Sequence, residues 1–158
     1  MAKVLVGFMG AGKTTVARLL DPNYIDMDEV ITQRIGMSIA QYFQQYGEQA
    51  FREIESEVLA ELIHSDHVIA TGGGVVESKE NRRLLAENPT TIYLKADLET
   101  LKNRIVDDTV NVRPLFIQQK AADFEKLFEH RQALYHEVAH QVIIVDHKTP
   151  KEIVEEIQ

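Results

Sequence analysis

The chain has 158 residues, 44% hydrophobic and 27% charged, which suits one soluble domain (1–158) able to close its own core. A formal net charge of −8 argues against a nucleic-acid partner, because phosphate-backbone binding needs clustered Lys and Arg. With no cysteine, disulfides, thiolate metal sites and a cysteine nucleophile are excluded, and no apolar run is long enough to cross a membrane.

The start, MAKVLVGF, opens directly into a strand and carries no secretion signal, so a cytoplasmic protein without membrane attachment is expected. Residues 3–8 read as a strand, 13–20 as a helix and 23–26 as a second strand. Helical patterns follow over 29–35, 38–46 and 48–63, then a buried-type strand over 68–71 that runs into three glycines. A helix over 78–88, a strand over 91–94 and a helix over 98–106 come next. Residues 107–120 have weak periodicity. A helix over 122–138, a strand over 141–145 and a last helix opened by Pro150 complete the chain. Five short strands with helical crossovers predict an α/β fold, a parallel sheet with helices on both faces.

Gly7-Phe8-Met9-Gly10-Ala11-Gly12-Lys13-Thr14 matches the phosphate-binding pattern G-x-x-x-x-G-K-[ST], and it lies between a strand and a helix as that pattern requires. Such a turn points backbone N–H groups inward over a helix N-terminus, forming an anion cradle. Gly10, Ala11, Gly12, Lys13, Thr14 and Thr15 are the nucleotide-binding candidates. Lys13 can reach the β- and γ-phosphates, and the Thr14 hydroxyl can ligate Mg²⁺. The expected cofactors are ATP and Mg²⁺, and the expected chemistry is phosphoryl transfer to a small acceptor.

Asp26 and Asp28 end the second strand, where i and i+2 of an extended segment share a face. One carboxylate can hold Mg²⁺ through water while the other serves an acceptor hydroxyl. Equally, Asp28 can be the N-cap of a helix starting near Glu29. Gly72-Gly73-Gly74 is either a loose turn or a place where backbone N–H groups approach a ligand, and its position after a strand favours the ligand. Arg131 falls at the centre of an apolar stripe made by Phe124, Leu127, Phe128, Leu134, Tyr135 and Val138. It must pair with a carboxylate, snorkel outward or face a ligand anion, and its fork suits a carboxylate ligand. Arg52, four residues after Glu48, reads as a surface residue in an i,i+4 pair. Arg113-Pro114 sits in the weakly periodic segment, as a lid arginine or plain surface loop. His136 and His140 have metal-pair spacing without a third ligand and are expected to face solvent.

Together, GFMGAGKTT, YIDMDEVI, GMSIAQYFQQYGEQAFREIE, VIATGGGVV, VRPLF and HRQALYHEVA resemble the shikimate kinase family over nearly the whole chain. The resemblance implies transfer of the ATP γ-phosphoryl to the 3-hydroxyl of shikimate, a step of chorismate biosynthesis. It implies the P-loop kinase fold, three-layer α/β/α with a five-stranded parallel sheet of order 2-3-1-4-5, substrate-binding helices about 29–63 and a lid about 107–120. By the same resemblance Asp28 binds the acceptor hydroxyls as base or orienter. Arg52 and Arg131 grip the shikimate carboxylate, and Gly73 and Gly74 line its ring. Lys13, Thr14 and Asp26 serve phosphates and Mg²⁺, with Arg113, and Arg104 beside adenine, completing the nucleotide side. Residues 146–150 resemble the loop bordering adenine. Two spacings depart from the family pattern: 14 to 26 is short and 104 to 113 is long. The rival readings are another small-molecule kinase of this fold, for gluconate or a nucleotide, and an ATP-binding module that has lost transfer. Retention of Lys13, Asp28 and Arg113 speaks against the second. A monomer is expected, because nothing requires a second chain to build the site.

Overall fold

The computed structural model describes residues 1–107 and 121–157, with the backbone alone of 104–107 and 121–122. Five strands, β1 (Lys3–Val6), β2 (Ile25–Asp26), β3 (Val68–Ala70), β4 (Thr91–Lys95) and β5 (Gln141–Ile144), form one sheet in the order β2-β3-β1-β4-β5. All four pairings are parallel; Val4 of β1 sits opposite both Ile69 of β3 and Thr91 of β4. A central parallel strand is covered on both faces, which is why β3, and β1 after Lys3, are apolar runs with no polar alternation.

The helices are α1 (Lys13–Leu20), α2 (Met27–Ile35), α3 (Ile39–Tyr46), α4 (Glu48–Leu62), α5 (Lys79–Glu87), α6 (Leu98–Asp107), α7 (Ala121–Val138) and α8 (Pro150–Glu156). They flank the sheet as two groups: α1 packs on β1, β3 and α8, whereas α7 packs on β4 and α5. The three-layer architecture and strand order are those the resemblance implied.

Local chemistry explains the boundaries. A capping box between Ser38 and Gln41 opens α3, and another between Thr149 and Glu152 opens α8 with Pro150 in its first turn. Each such cap contributes about 1 kcal/mol. Gly36, at φ 71°, closes α2 in the left-handed region. Four strands are shorter than expected, β3 by the single residue Thr71. β1 stops at Val6, where the chain turns so that the Ala11 N–H donates to the Phe8 carbonyl at 3.1 Å. β2 keeps only Ile25–Asp26, because the residues before it stay in the turn that the Tyr24 N–H closes onto the Asp21 carbonyl at 3.0 Å. β5 stops at Ile144.

The short crossover from α1 to β2 is well tied. Asp21 closes α1, accepts from the Asn23 N–H at 2.8 Å, and accepts from the Val68 N–H of β3 at 3.2 Å. One carboxylate therefore links the helix end, the turn and the sheet, so two turns of helix are enough.

Candidate active site

The phosphate-binding turn hangs from the carboxyl end of β1, the middle strand. Two contacts fix its shape. At Gly7 a Cβ would lie 2.7 Å from the Leu94 carbonyl oxygen, so the turn needs glycine to lie flat on β4. Phe8 meets Phe124 and Phe128 of α7 edge-on, with centroids 5.4 and 5.6 Å apart, which anchors the turn to that helix. The Lys13 ammonium donates to the carbonyls of Gly7 and Phe8, folded back across the turn. Gly10, Gly12, Lys13, Thr14 and Thr15 line a cleft of about 390 Å³, and Ala11 is buried beneath it.

The opposite wall of that cleft carries Asp26 and Asp28. The N-cap is Asp26, not Asp28: Asp26 Oδ1 accepts from the Asp28 N–H at 3.0 Å. The premise of an extended Asp-x-Asp also fails, because Asp28 lies in the first turn of α2. Both carboxylates nonetheless line the same cleft, and capping by Asp26 leaves the Asp28 carboxylate uncommitted to the helix. Burial, with the charge of Asp26 adding, raises the Asp28 carboxyl above its ordinary value, and Lys13 and Arg52 pull it back down.

Three consecutive glycines follow β3, and each accommodates a different functional side chain. A Cβ on Gly72 would lie 2.9 Å from Asp28 Oδ1. On Gly73 it would lie 3.5 Å from Arg131 Nη1, and on Gly74 it would lie 2.5 Å from Arg52 Nη2. The segment is thus a bare backbone wall against which the base candidate and both arginines converge. Gly72 and Gly73 also line the phosphate cleft.

Arg52 is not a surface residue paired with Glu48. Its side chain is 15% exposed and donates from Nη1 to Glu55 Oε1 at 2.9 Å. The guanidinium lies over the rings of Phe51 (5.2 Å) and Phe43 (5.7 Å). Glu55 is buried and also accepts from Asn81 Nδ2 at 3.2 Å; burial raises its carboxyl, and Arg52 opposes the shift. Arg131 is 13% exposed, stacks near Phe8 at 5.9 Å and donates from Nε to Glu77 Oε2 at 2.9 Å. Of the ways open to this arginine, carboxylate pairing is therefore realised within the protein. Among the described residues that pairing takes only the Nε edge of the guanidinium.

Reading the sequence alone gave no role to Glu55, Asn81 or Glu77, and took Tyr135 only as part of an apolar stripe, whereas its hydroxyl donates to the Gly73 carbonyl. Glu55 had a visible signal as the last residue of Gly-Glu-x-x-Phe-Arg-x-x-Glu, whereas Glu77 had none. Arg113 lies outside the described residues, as does the side chain of Arg104. His136 and His140 are exposed as expected, and among the described residues no cluster of three or more His, Asp or Glu could hold a metal. A larger groove of about 940 Å³, also lined by Arg52, carries five glutamates, Glu48, Glu53, Glu57, Glu77 and Glu80, a lining that repels polyphosphate.

A phosphate cradle at the end of the central strand, facing an acidic wall across one cleft, defines a P-loop kinase. The chain belongs to the shikimate kinase family, whose family model matches residues 9–158. A shikimate kinase of Streptococcus gordonii is 50% identical to it over 159 residues, covering 100% of this chain and 99% of that protein. An alignment of that length against 158 residues means that the short α1–β2 crossover is shared with it. Among solved structures, shikimate kinase from Acinetobacter baumannii in complex with shikimate superposes with a TM-score of 0.87 at 34% identity, covering 99% of this chain and 89% of that one. The Aquifex aeolicus shikimate kinase gives 0.81 at 32% identity, with coverage of 99% and 93%.

Proposed function

We propose that this chain transfers the γ-phosphoryl of ATP to the 3-hydroxyl of shikimate, giving ADP and shikimate 3-phosphate on the route to chorismate and the aromatic amino acids. The observation that carries the reading is the glycine wall: Gly72, Gly73 and Gly74 gather Asp28, Arg131 and Arg52 beside the phosphate cradle. A hydroxylated ring acid presents a carboxylate for two arginines and hydroxyls for one aspartate; a nucleotide brings no carboxylate, and gluconate, which shares both groups, is disfavoured by the family to which the chain belongs.

In this reading Gly10, Ala11, Gly12, Lys13, Thr14 and Thr15 hold the phosphates, and Lys13 swings from its carbonyl partners onto the β- and γ-oxygens. Thr14 and Asp26 are hard oxygen donors on one cleft, and they fit Mg²⁺, Asp26 through the oxygen not engaged in capping. When bound, Mg²⁺ neutralises phosphate charge. Arg52 and Arg131 orient the acceptor by its carboxylate, while Gly73 and Gly74 face its ring. Asp28 receives the hydroxyl proton as the acceptor oxygen bonds to the γ-phosphorus and the bond from phosphorus to the leaving ADP oxygen breaks. A raised Asp28 carboxyl suits that proton better than an ordinary exposed one. Arg113 would close over the phosphates from a lid about 107–120, and Arg104 would flank adenine. We take 1–158 as one domain acting as a monomer, since all these residues come from one chain, and in the cytoplasm, where ATP is plentiful. No helix among the described residues is long and apolar enough to cross a membrane.

Asp28→Asn tests the assignment: turnover should be nearly abolished while ATP binding by calorimetry is retained. Unchanged turnover would remove Asp28 from the mechanism.

A further inference from the structure

We propose that Glu77 is a positioning residue for the acceptor site, holding Arg131 by its Nε edge so that the two amino groups of the guanidinium are presented at the glycine wall. The proposal rests on Arg131 binding the acceptor carboxylate, as inferred above.

Four observations carry it. First, Glu77 divides its carboxylate between two donors. Oε2 accepts from Arg131 Nε at 2.9 Å, and Oε1 lies 2.8 Å from His130 Nε2, one residue earlier on α7. Second, Glu77 is fixed from behind. It ends a 3₁₀ turn, Val75–Glu77, that leaves the glycine wall directly, and its N–H donates to the Gly74 carbonyl at 3.0 Å. Its own carbonyl, with that of Val76, accepts from Arg82 Nη1 at 3.1 and 2.8 Å. Arg82 in turn pairs with Glu137 of α7. The carboxylate therefore springs from a pinned backbone. Third, the edge it occupies is the right one. With Nε bound to Glu77, Nη1 lies 3.5 Å from where a Cβ on Gly73 would stand, and Gly73 lines the phosphate cleft. Fourth, the electrostatics are those of a standing ion pair. Burial works to raise the Glu77 carboxyl, but hydrogen bonds from Arg131 and His130 outweigh it and hold it below its ordinary value.

A guanidinium on a long stem has many rotamers. One anchored through Nε has lost most of them before the acceptor arrives, which lowers the entropic cost of binding a carboxylate end-on. His130 is exposed and holds the second oxygen, so it steadies the carboxylate and does not itself reach the cleft.

The test uses the full chain with ATP-Mg²⁺ and two acceptors, shikimate and its neutral carboxamide. Glu77→Ala should raise the KM for shikimate about tenfold, with kcat and the KM for ATP changed less than twofold and the KM for the carboxamide unchanged. Glu77→Gln, whose amide oxygen still accepts from Nε, should recover most of the loss. An equal rise for acid and amide would make Glu77 a general structural residue and overturn the proposal. So would an unchanged KM for shikimate, or a lowered one, which would mean that Glu77 competes with the acceptor for Arg131. Should Glu77→Ala fail to fold, the comparison of Glu77→Gln with Glu77→Asp decides, since the shorter acid should behave like the loss and the amide like the wild type. Arg131→Ala separates the two levels. If it leaves the KM for shikimate unchanged, the carboxylate assignment fails; if it raises that KM while Glu77→Ala does not, only the role of Glu77 fails.

Discussion

Asp28, the carboxylate proposed to serve the acceptor hydroxyl, works against the fold that holds it. Its carboxyl is raised by burial and by Asp26, against the pull of Lys13 and Arg52, from an ordinary value of 3.8. A group whose folded pKa lies above its unfolded one gives stability that is fully present below the unfolded pKa and is lost as pH rises through the folded pKa. At neutral pH the ionised Asp28 is therefore a net cost to the fold. Asp28→Asn should melt at a higher temperature than the wild type at pH 7, with the gap closing as pH falls toward 3.8, while kcat drops by about 10²–10⁴-fold. A lower melting temperature at pH 7 would show that Lys13 and Arg52 more than compensate the buried charge. The sequence made Asp28 visible as half of an acidic pair and left open that it caps the helix, a role that falls to Asp26. Capping depends on where the helix begins, and sequence patterns locate helix ends only to within a residue or two.

At the scale of elements, the site is a meeting of the glycine wall with α4 and α7. Gly74→Ala would push a methyl to 2.5 Å from Arg52 Nη2, and Arg52 can yield only by leaving Glu55. We expect the KM for shikimate to rise about tenfold with the KM for ATP unchanged, since a one-hydrogen-bond loss is about 1.4 kcal/mol. Steady-state kinetics with each substrate varied separately checks this, and a rise in the ATP constant alone would move Gly74 to the nucleotide side. Glu55→Ala leaves the mostly covered Arg52 without its counter-charge and Asn81 without its acceptor, so urea unfolding should show a loss of about 3 kcal/mol. A loss below 1 kcal/mol would mean that Arg52 finds water instead. Arg52 itself was misread because the i,i+4 spacing offered an exposed Glu48 as partner. What turns it inward is Glu55, a buried acid that an apolar periodicity does not register. Arg131 was legible for the opposite reason: a charge in the middle of an apolar stripe stands out.

Over the whole molecule, strand order turns scattered motifs into one site. β2, β3 and β1 are neighbours, so the acidic turn after β2, the glycines after β3 and the phosphate turn after β1 emerge side by side at the carboxyl ends of the strands. Strand number and parallel direction followed from local pattern. The order did not, because pairing between distant segments leaves no periodic trace; it entered through the resemblance. Net charge also misleads at this scale. The chain carries −8, yet Lys13, Arg52 and Arg131 cluster where anionic substrates would sit, and Glu55 and Glu77 hold two of them by one edge each.

The acceptor is identified by a coupled ADP-release assay with ATP-Mg²⁺ in which shikimate, gluconate and nucleoside monophosphates are offered separately. We predict turnover with shikimate and none above the ATPase background with the others. Turnover with gluconate or a nucleotide in place of shikimate would contradict the assignment, leaving a P-loop kinase whose two arginines serve another anion.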